Sequence, residues 1–107
     1  MQIDFHFRNL ESSSAMKTYA ADKLAKLEKY LRPPAEAHVT FSVEGHRHCV
    51  DVAINASGEH YQGSAEQEDM YASIDLVIDK LLRQLNRVRG QTQNHRRGPQ
   101  AGDSPGE

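Results

Sequence analysis

The sequence predicts an α+β domain of order βαβββα, with a four-stranded mixed sheet and two helices packed on one of its faces. Four short segments alternate apolar and polar residues, and two longer segments repeat apolar residues at helical spacing. The stretch between the first two strands is long enough for a right-handed parallel crossover, and hairpins join the other strands. We expect residues 1–90 to form this single domain. Residues 91–107 lack an apolar period, which predicts a disordered tail.

The first strand and the first helix occupy the N-terminal third of the chain. Residues 2–8 alternate as in a half-buried strand, and one of the serines at 12–14 is placed to cap the helix that follows. Apolar residues then recur every three or four positions, at Met16, Ala20, Leu24, Leu27 and Leu31. Pro33 and Pro34 end this helix, because proline has no amide hydrogen to donate.

Three further strands fill the middle of the chain. Residues 38–44 and 50–54 alternate in the same way, and a turn at 45–46 joins them. The sequence "NASG" at 55–58 predicts a hairpin loop, after which residues 59–66 form a weaker strand. The sheet face without helices is then polar enough to meet water, since it carries Asp4, His6, Thr40, Ser42, Glu44 and Asp51.

The last helix begins near Asp69, whose carboxylate is a good N-cap. One face of it is apolar throughout and consists of Met70, Ile74, Val77, Ile78, Leu81, Leu85 and Val88. We expect Met70 to lie in the core. Tyr71 is at the edge of the apolar stripe, which predicts packing on the rim of the sheet rather than stacking on a nucleobase.

Bulk composition limits the class of protein. Hydrophobic residues make up 37% and charged residues 26% of the chain, as in a small globular domain. No apolar run approaches the roughly 20 residues that a membrane span requires, and the N-terminus lacks the apolar core of an export signal. A single cysteine, Cys49, excludes an internal disulfide and favours the reducing cytoplasm.

Charge is segregated by element, although the formal net charge is −2. Nine of the thirteen Lys and Arg residues lie in the two helical segments, and the segments between carry acids. At 100° per residue, Lys80, Arg83 and Arg87 fall within roughly 60° of one another on the last helix. A similar row on the first helix consists of Lys23, Lys26 and Lys29. If the helices lie side by side, the two rows border a common groove on the scale of a phosphate backbone.

Two interpretations of these charges are open. Acids at the start and bases at the end of the last helix suit its dipole, and two acid–base pairs, Asp79 with Arg83 and Asp22 with Lys26, have i,i+4 spacing. RNA binding is favoured by the scarcity of acids on the basic flanks. It is also favoured by Arg96 and Arg97, which continue the basic run where no helix dipole acts.

Other chemistry has little support in the sequence. There is no GxSxG, phosphate-binding glycine loop or HExxH motif, so we expect neither an enzyme nor a cofactor. "HRHC" at 46–49 places two histidines at i,i+2, which on a strand would share a face and supply half of a metal site. A metal-sensing or protein-interaction module is therefore the remote alternative. Solvated turn histidines and a structural thiol at Cys49 are the simpler interpretation.

Three segments carry a family resemblance. "SAEQEDMYASIDLVIDKLLRQLNR" resembles the signature of the bacterial ribosome hibernation factors, the family of hibernation promoting factor and protein Y, the ribosome-associated inhibitor. "ADKLAKLEKYL" is similar to their first helix, and "VDVAINASGEHYQGSAE" to their central hairpin. The likeness covers about residues 1–90 in order, and its last motif is long and irregular.

The resemblance implies the same βαβββα domain, bound to 16S rRNA at the decoding region of the small ribosomal subunit. The implied mechanism is steric occlusion of messenger and transfer RNA by an electrostatically anchored plug, which silences translation. The family's basic helix positions that anchor the protein correspond here to Lys23, Lys26, Lys29, Lys80, Arg83, Arg87 and, at the margin of the match, Arg89.

The tail bears on the subtype. The chain has no room for the second, dimerising domain of the long hibernation factors, so the protein itself is expected to be a monomer. Protein Y has a longer acidic tail and stabilises inactive single ribosomes, whereas this tail is slightly basic before its end. The resemblance is therefore greatest to the short hibernation promoting factor, which favours inactive ribosome pairs, often with a small partner protein.

Overall fold

The chain follows the predicted order of four strands and two helices. The structure is a computed structural model that describes the backbone of residues 1–93 and the side chains of residues 1–87. The strands are β1 (Gln2–Arg8), β2 (Ala35–Glu44), β3 (Arg47–Ala56) and β4 (Glu59–Gln67). The helices are α1 (Ser14–Ala25) and α2 (Met70–Gln93), and a short 3₁₀ helix spans Glu28–Tyr30.

The sheet is mixed, as predicted, with its strands in the order β1-β2-β3-β4. β1 runs parallel to β2, and the remaining pairs are antiparallel. The parallel pair is possible because α1 carries the chain back across the sheet between the two strands. The register places Phe7 opposite Phe41, Phe41 opposite Val50, and Val50 opposite Ala65. Because side chains alternate along a strand, this register gathers the apolar residues of all the strands on one face.

Both hairpins turn in two residues. Gly45 and His46 join β2 to β3, and Gly45 has a φ of +61° that suits glycine. Ser57 and Gly58 join β3 to β4, with φ values of +50° and +86°, the pattern of a type I′ turn. Of the predicted loop at 55–58, the first two residues belong to β3, which continues to Ala56, and only Ser57 and Gly58 form the turn. The amide of Ser57 donates to the carbonyl of Pro34 at 3.0 Å.

The first helix begins as predicted but ends earlier. The hydroxyl of Ser13 accepts a hydrogen bond from the amide of Met16 at 3.2 Å and caps α1. The prediction that the helix continues to Leu31 is wrong, because α1 ends at Ala25. The amides of Lys26 and Leu27 donate to carbonyls three residues back, at 3.1 and 2.9 Å, and the chain tightens toward the 3₁₀ helix.

The second helix is capped by Asp69, as predicted, whose Oδ2 accepts from the amide of Ala72 at 3.0 Å. Ser73 is fully buried, and its hydroxyl donates to the carbonyl of His48 at 2.6 Å, which ties the first turn of α2 to β3. The helix continues to Gln93, three residues past the predicted domain boundary. Residues 94–107 lie outside the described residues, and with them most of the predicted tail.

The core lies between the sheet and the two helices, which cover the same face. Its largest fully buried side chains are Phe41, Leu24, Leu27, Ile54, Met70, Ile74, Leu81 and Leu85. Phe41 lies at the centre of an aromatic stack, with ring centroids 6.0 Å from Phe5 and 4.9 Å from Phe7. Gly63 of β4 lies under α2, where a Cβ would be in van der Waals contact, at 3.4 Å, with Leu81 and Val77.

The opposite face of the sheet is polar, as predicted. The two ring nitrogens of His38 lie 3.2 Å from Asp4 and 3.5 Å from Glu36, and Asn55 donates to Glu36 at 3.3 Å. Ser64 donates to the exposed carboxylate of Asp51. These contacts bind the strands to one another on the solvent side. Within residues 1–93, no helix is long and apolar enough to cross a membrane.

Candidate nucleic-acid interface

The basic row of α2 lies on the flank of the helix above the sheet edge. Lys80, Arg83 and Arg87 are all exposed. The ammonium of Lys80 donates to the carbonyl of Ser64 at 2.8 Å, and the amide of Gln84 donates to the carbonyl of Gln62 at 3.1 Å. Both acceptors belong to the edge strand β4. By helix geometry, Arg87 lies about 20° and Arg83 about 60° around the axis from Lys80.

The opposite flank of α2 faces α1. The hydroxyl of Tyr19 donates to Asp75 Oδ1 at 2.8 Å. Tyr71 meets Tyr19 edge to face, with ring centroids 5.0 Å apart and planes at 89°. The packing of Tyr71 on the rim of the sheet stays a prediction, and the ring contact that the structure shows is with the neighbouring helix. Sequence patterns did not single out Tyr19 and Asp75 as partners, since the bond joins residues that are distant in the chain.

Lys23 belongs to this interhelical cluster. Its ammonium lies 3.6 Å from Asp75 Oδ1 and 5.1 Å from the centroid of the Tyr19 ring. We call Tyr19, Lys23, Tyr71 and Asp75 the tyrosine–aspartate cluster. The pairing with Asp75 offsets part of the positive charge of Lys23, so Lys23 is less available to an anion than its sequence position indicates.

The other two lysines of the first row do not lie within α1. Lys26 is the residue that caps its C-terminus, and Lys29 lies on the 3₁₀ helix, where its ammonium is 5.4 Å from the centroid of the Tyr30 ring. Both side chains are exposed. The three lysines were predicted to follow one another along a single helix. In the structure Lys23 lies in α1, Lys26 caps it and Lys29 lies in the 3₁₀ helix that follows.

The prediction that both basic rows border one groove is wrong. Lys80 lies about 140° around the α2 axis from Asp75, which faces α1, so its row is on the far flank of the helix. The groove between the helices is instead lined by the tyrosine–aspartate cluster, in which Lys23 is the one cation. The helical layer therefore presents a broad basic band that also contains the tyrosine–aspartate cluster and the exposed acids Asp22 and Asp79.

Several cations of this band are unpaired. Among residues 1–87, the side chains of Lys26, Arg83 and Arg87 contact no carboxylate. The i,i+4 ion pairs that helix electrostatics predicted, Asp79 with Arg83 and Asp22 with Lys26, are not formed among the described side chains. Arg89, Arg96 and Arg97 lie outside those side chains. The unpaired charges remain available to a ligand.

The alternative metal site finds no support in the described residues. His46 lies in the β2–β3 turn and not on a strand, so it does not share a strand face with His48. The Cys49 thiol is 3.9 Å from a carboxylate oxygen of Glu66. Among residues 1–87, no group of three or more His, Cys, Asp or Glu side chains could hold a metal ion.

Tyr19 offers a pH-dependent test of the tyrosine–aspartate cluster. Its hydrogen bond to Asp75 raises the pKa of Tyr19 above the ordinary value of 10.0, and desolvation and the negative charge of Asp75 act in the same direction. A raised pKa means that the folded state favours the protonated phenol. The stabilising contribution is therefore complete below pH 10.0 and is lost as the pH rises through the raised value.

We expect the tyrosinate absorbance of the folded protein to include a component that titrates above pH 10.0, and Tyr19→Phe to remove it. Asp75→Asn should lower that component toward the ordinary value, because the charged acceptor is gone. The Tyr61→Phe variant, in which the changed ring lies on β4, is the control. A titration that Tyr19→Phe leaves unchanged would contradict the assignment.

Comparison with known proteins identifies the family. A family model described as "Sigma 54 modulation protein / S30EA ribosomal protein" matches residues 3–93. The chain therefore belongs to this family, and the resemblance to the hibernation factors is confirmed. The ribosome hibernation promoting factor of Salmonella typhimurium is 37% identical over 95 residues, which cover 89% of this chain and 100% of that protein. The factor of the same name in Azotobacter vinelandii is 31% identical over 105 residues, 98% of each chain.

Solved structures show the same fold. The N-terminal domain of Thermus thermophilus Protein Y matches with a TM-score of 0.75 and 30% identity, covering 83% of this chain and 100% of that domain. A ribosomal subunit interface protein from Coxiella burnetii matches with a TM-score of 0.73 and 24% identity, covering 84% of this chain and 99% of that one. The predicted α+β class, with a four-stranded mixed sheet and two helices on one face, is confirmed.

Proposed function

We propose that this protein is a ribosome hibernation factor that binds the 16S rRNA of the small ribosomal subunit at the decoding region. The observation that carries the proposal is the set of exposed cations without acidic partners on the helical layer, Lys26, Arg83 and Arg87. Such cations neutralise phosphates and release counterions. Membership of the family, and relatives named ribosome hibernation promoting factor, support the choice of the ribosome over other RNA.

The two layers of the domain set the orientation on RNA. Exposed acids lie on the helix-free face of the sheet, among them Asp4, Glu36, Asp51 and Glu66. Phosphates repel this face and attract the helical layer, so the helices contact the RNA and the sheet faces away. Lys23, Lys26, Lys29, Lys80, Arg83, Arg87 and Arg89 are the proposed rRNA contacts.

The mechanism is steric. A folded domain held in the channel for messenger and transfer RNA excludes both, and translation stops without a chemical step or a cofactor. Many charge contacts at the surface give binding that salt weakens and that reverses when conditions change. The protein acts in the cytoplasm, where ribosomes are, and as a monomer.

The effect on ribosome pairing separates two forms of this function. The chain matches relatives named ribosome hibernation promoting factor over 100% of their length. This likeness supports the first form, in which the protein promotes inactive ribosome pairs together with a small partner protein. The match to the N-terminal domain of Protein Y favours a form that stabilises inactive single ribosomes. A sucrose gradient distinguishes the two, because only the first produces a peak of ribosome dimers.

The test is co-sedimentation of the purified protein with small subunits, large subunits and whole ribosomes. We expect it to travel with the small subunit and the whole ribosome and not with the isolated large subunit. The logarithm of the binding constant should fall with the logarithm of salt concentration by about 0.7 to 0.9 per phosphate contact. Messenger and transfer RNA already bound to the ribosome should reduce binding of the protein. Equal binding to large subunits, or affinity independent of salt, would overturn the proposal.

A further inference from the structure

Asp75 is the carboxylate of the basic band that contacts both a tyrosine and a lysine. Asp75 is 53% exposed, and its Oδ1 accepts a hydrogen bond from the Tyr19 hydroxyl and forms an ion pair with the Lys23 ammonium 3.6 Å away. Among the described side chains, nothing donates to its Oδ2. A carboxylate repels the phosphates that the surrounding cations attract, so its presence on an RNA-binding surface needs a role that offsets this repulsion.

Unpaired nucleobases provide such a role. Aromatic rings in a basic surface stack on bases regardless of sequence, and Tyr19 and Tyr71 are both only half buried in the interhelical groove. A carboxylate accepts from the amino group of cytosine but meets the carbonyl oxygen that uracil presents at the same position. The Tyr19 hydroxyl and Lys23 both contact Oδ1, so the Asp75 side chain is restrained while Oδ2 keeps its capacity to accept a hydrogen bond.

We propose that the tyrosine–aspartate cluster reads one unpaired base of the bound RNA and prefers cytosine to uracil. The base stacks on the exposed part of the Tyr71 ring, since Lys23 lies over the ring of Tyr19, and donates its amino group to Asp75, while Lys26 contacts a neighbouring phosphate. This inference rests on the proposed function and adds base selection to it. The competing explanation is that the cluster only clamps α1 to α2.

The test compares fluorescent oligocytidine and oligouridine of about ten nucleotides, by anisotropy at one salt concentration. The wild-type protein should bind oligocytidine about tenfold more tightly. Asp75→Asn should bring the ratio close to one, because an amide can donate to uracil or accept from cytosine. It should leave the salt slope of oligouridine binding unchanged or steeper, since a negative charge has been removed.

Asp79→Asn is the matched control. It makes the same charge change on an exposed residue of the same helix, one turn further on, without touching the cluster. It should retain the cytosine preference. Tyr71→Leu should weaken the binding of both oligonucleotides, and Tyr19→Phe should reduce the ratio because Asp75 loses its anchor. A purely structural clamp predicts lower thermal stability in these variants with the ratio unchanged.

A measurement on the wild-type protein tests the proposal even if one of the variants does not fold. In nuclear magnetic resonance spectra of the wild-type protein, oligocytidine should shift the ring signals of Tyr19 and Tyr71 more than oligouridine does. Equal shifts, shifts confined to other residues, or the absence of binding by either oligonucleotide overturn base selection. None of these outcomes affects co-sedimentation with the small subunit, so base selection and the proposed function fail independently.

Discussion

Reversing the charge of Lys80, Arg83 and Arg87 to glutamate together is expected to abolish co-sedimentation with the small subunit. Each side chain lies on the exposed flank of α2, and Arg83 and Arg87 contact no carboxylate among the described residues. The change removes three phosphate contacts and introduces three repulsive charges, so affinity should fall by at least about a thousandfold. Any residual binding should show a salt slope smaller by about 2 to 3.

The control is a second triple variant with the same change in net charge. Arg8, Lys17 and Arg47 are not among the proposed contacts: Arg8 and Arg47 lie on β1 and β3, and Lys17 lies near the start of α1, at the opposite end from Lys26. Their reversal to glutamate should slow association at low salt but preserve most of the affinity, because steering depends on total charge and contact does not. If both triple variants bind equally well, the assignment of the α2 row as an RNA contact is wrong. Circular dichroism should show that both variants are folded.

Phe41→Ala is expected to cause the largest loss of stability, about 3–5 kcal/mol. Phe41 is fully buried, and its ring stacks with two aromatic rings of β1 while its backbone lies in the second strand of the sheet. The cavity would lie where β1 joins the sheet, and a domain of this size has roughly 5–15 kcal/mol in total. Urea unfolding followed by circular dichroism measures the change.

Phe41→Leu is the companion variant, since it keeps an apolar side chain in the same place and should cost less than the alanine change. Native-state hydrogen exchange should show β1 losing protection first in Phe41→Ala, before β3 and β4. A free energy of unfolding within about 1 kcal/mol of the wild-type value would show that the aromatic stack is not the main support of β1.

Local patterns predicted most of the fold. Alternation identified all the strands, because each has one buried and one polar face, and Ser13 and Asp69 cap the helices where cap chemistry indicated. The end of α1 could not be predicted in this way. Leu27 and Leu31 are buried, as an α-helix would also bury them, so apolar spacing does not distinguish a continuous α-helix from one that finishes in a 3₁₀ turn.

The sequence predicted which residues belong to the candidate site better than it predicted how those residues are arranged in space. Helical geometry placed Lys80, Arg83 and Arg87 together, since angles within one helix depend on sequence spacing alone. Which flank of α2 faces α1 depends on how the two helices pack, and this is a property of the whole fold. For the same reason the bond between Tyr19 and Asp75 could not be predicted from either segment separately.

The side chains of Lys80 and Gln84 also affect how the protein behaves at high concentration. They occupy the outward carbonyls of Ser64 and Gln62 on the last strand of the sheet. An unoccupied strand edge is a template on which a second chain can add a strand, and a charged side chain laid across it prevents this. A variant that loses both side chains uncovers that edge. The hazard for such a variant is aggregation of folded molecules, which a measurement of unfolding alone would not detect.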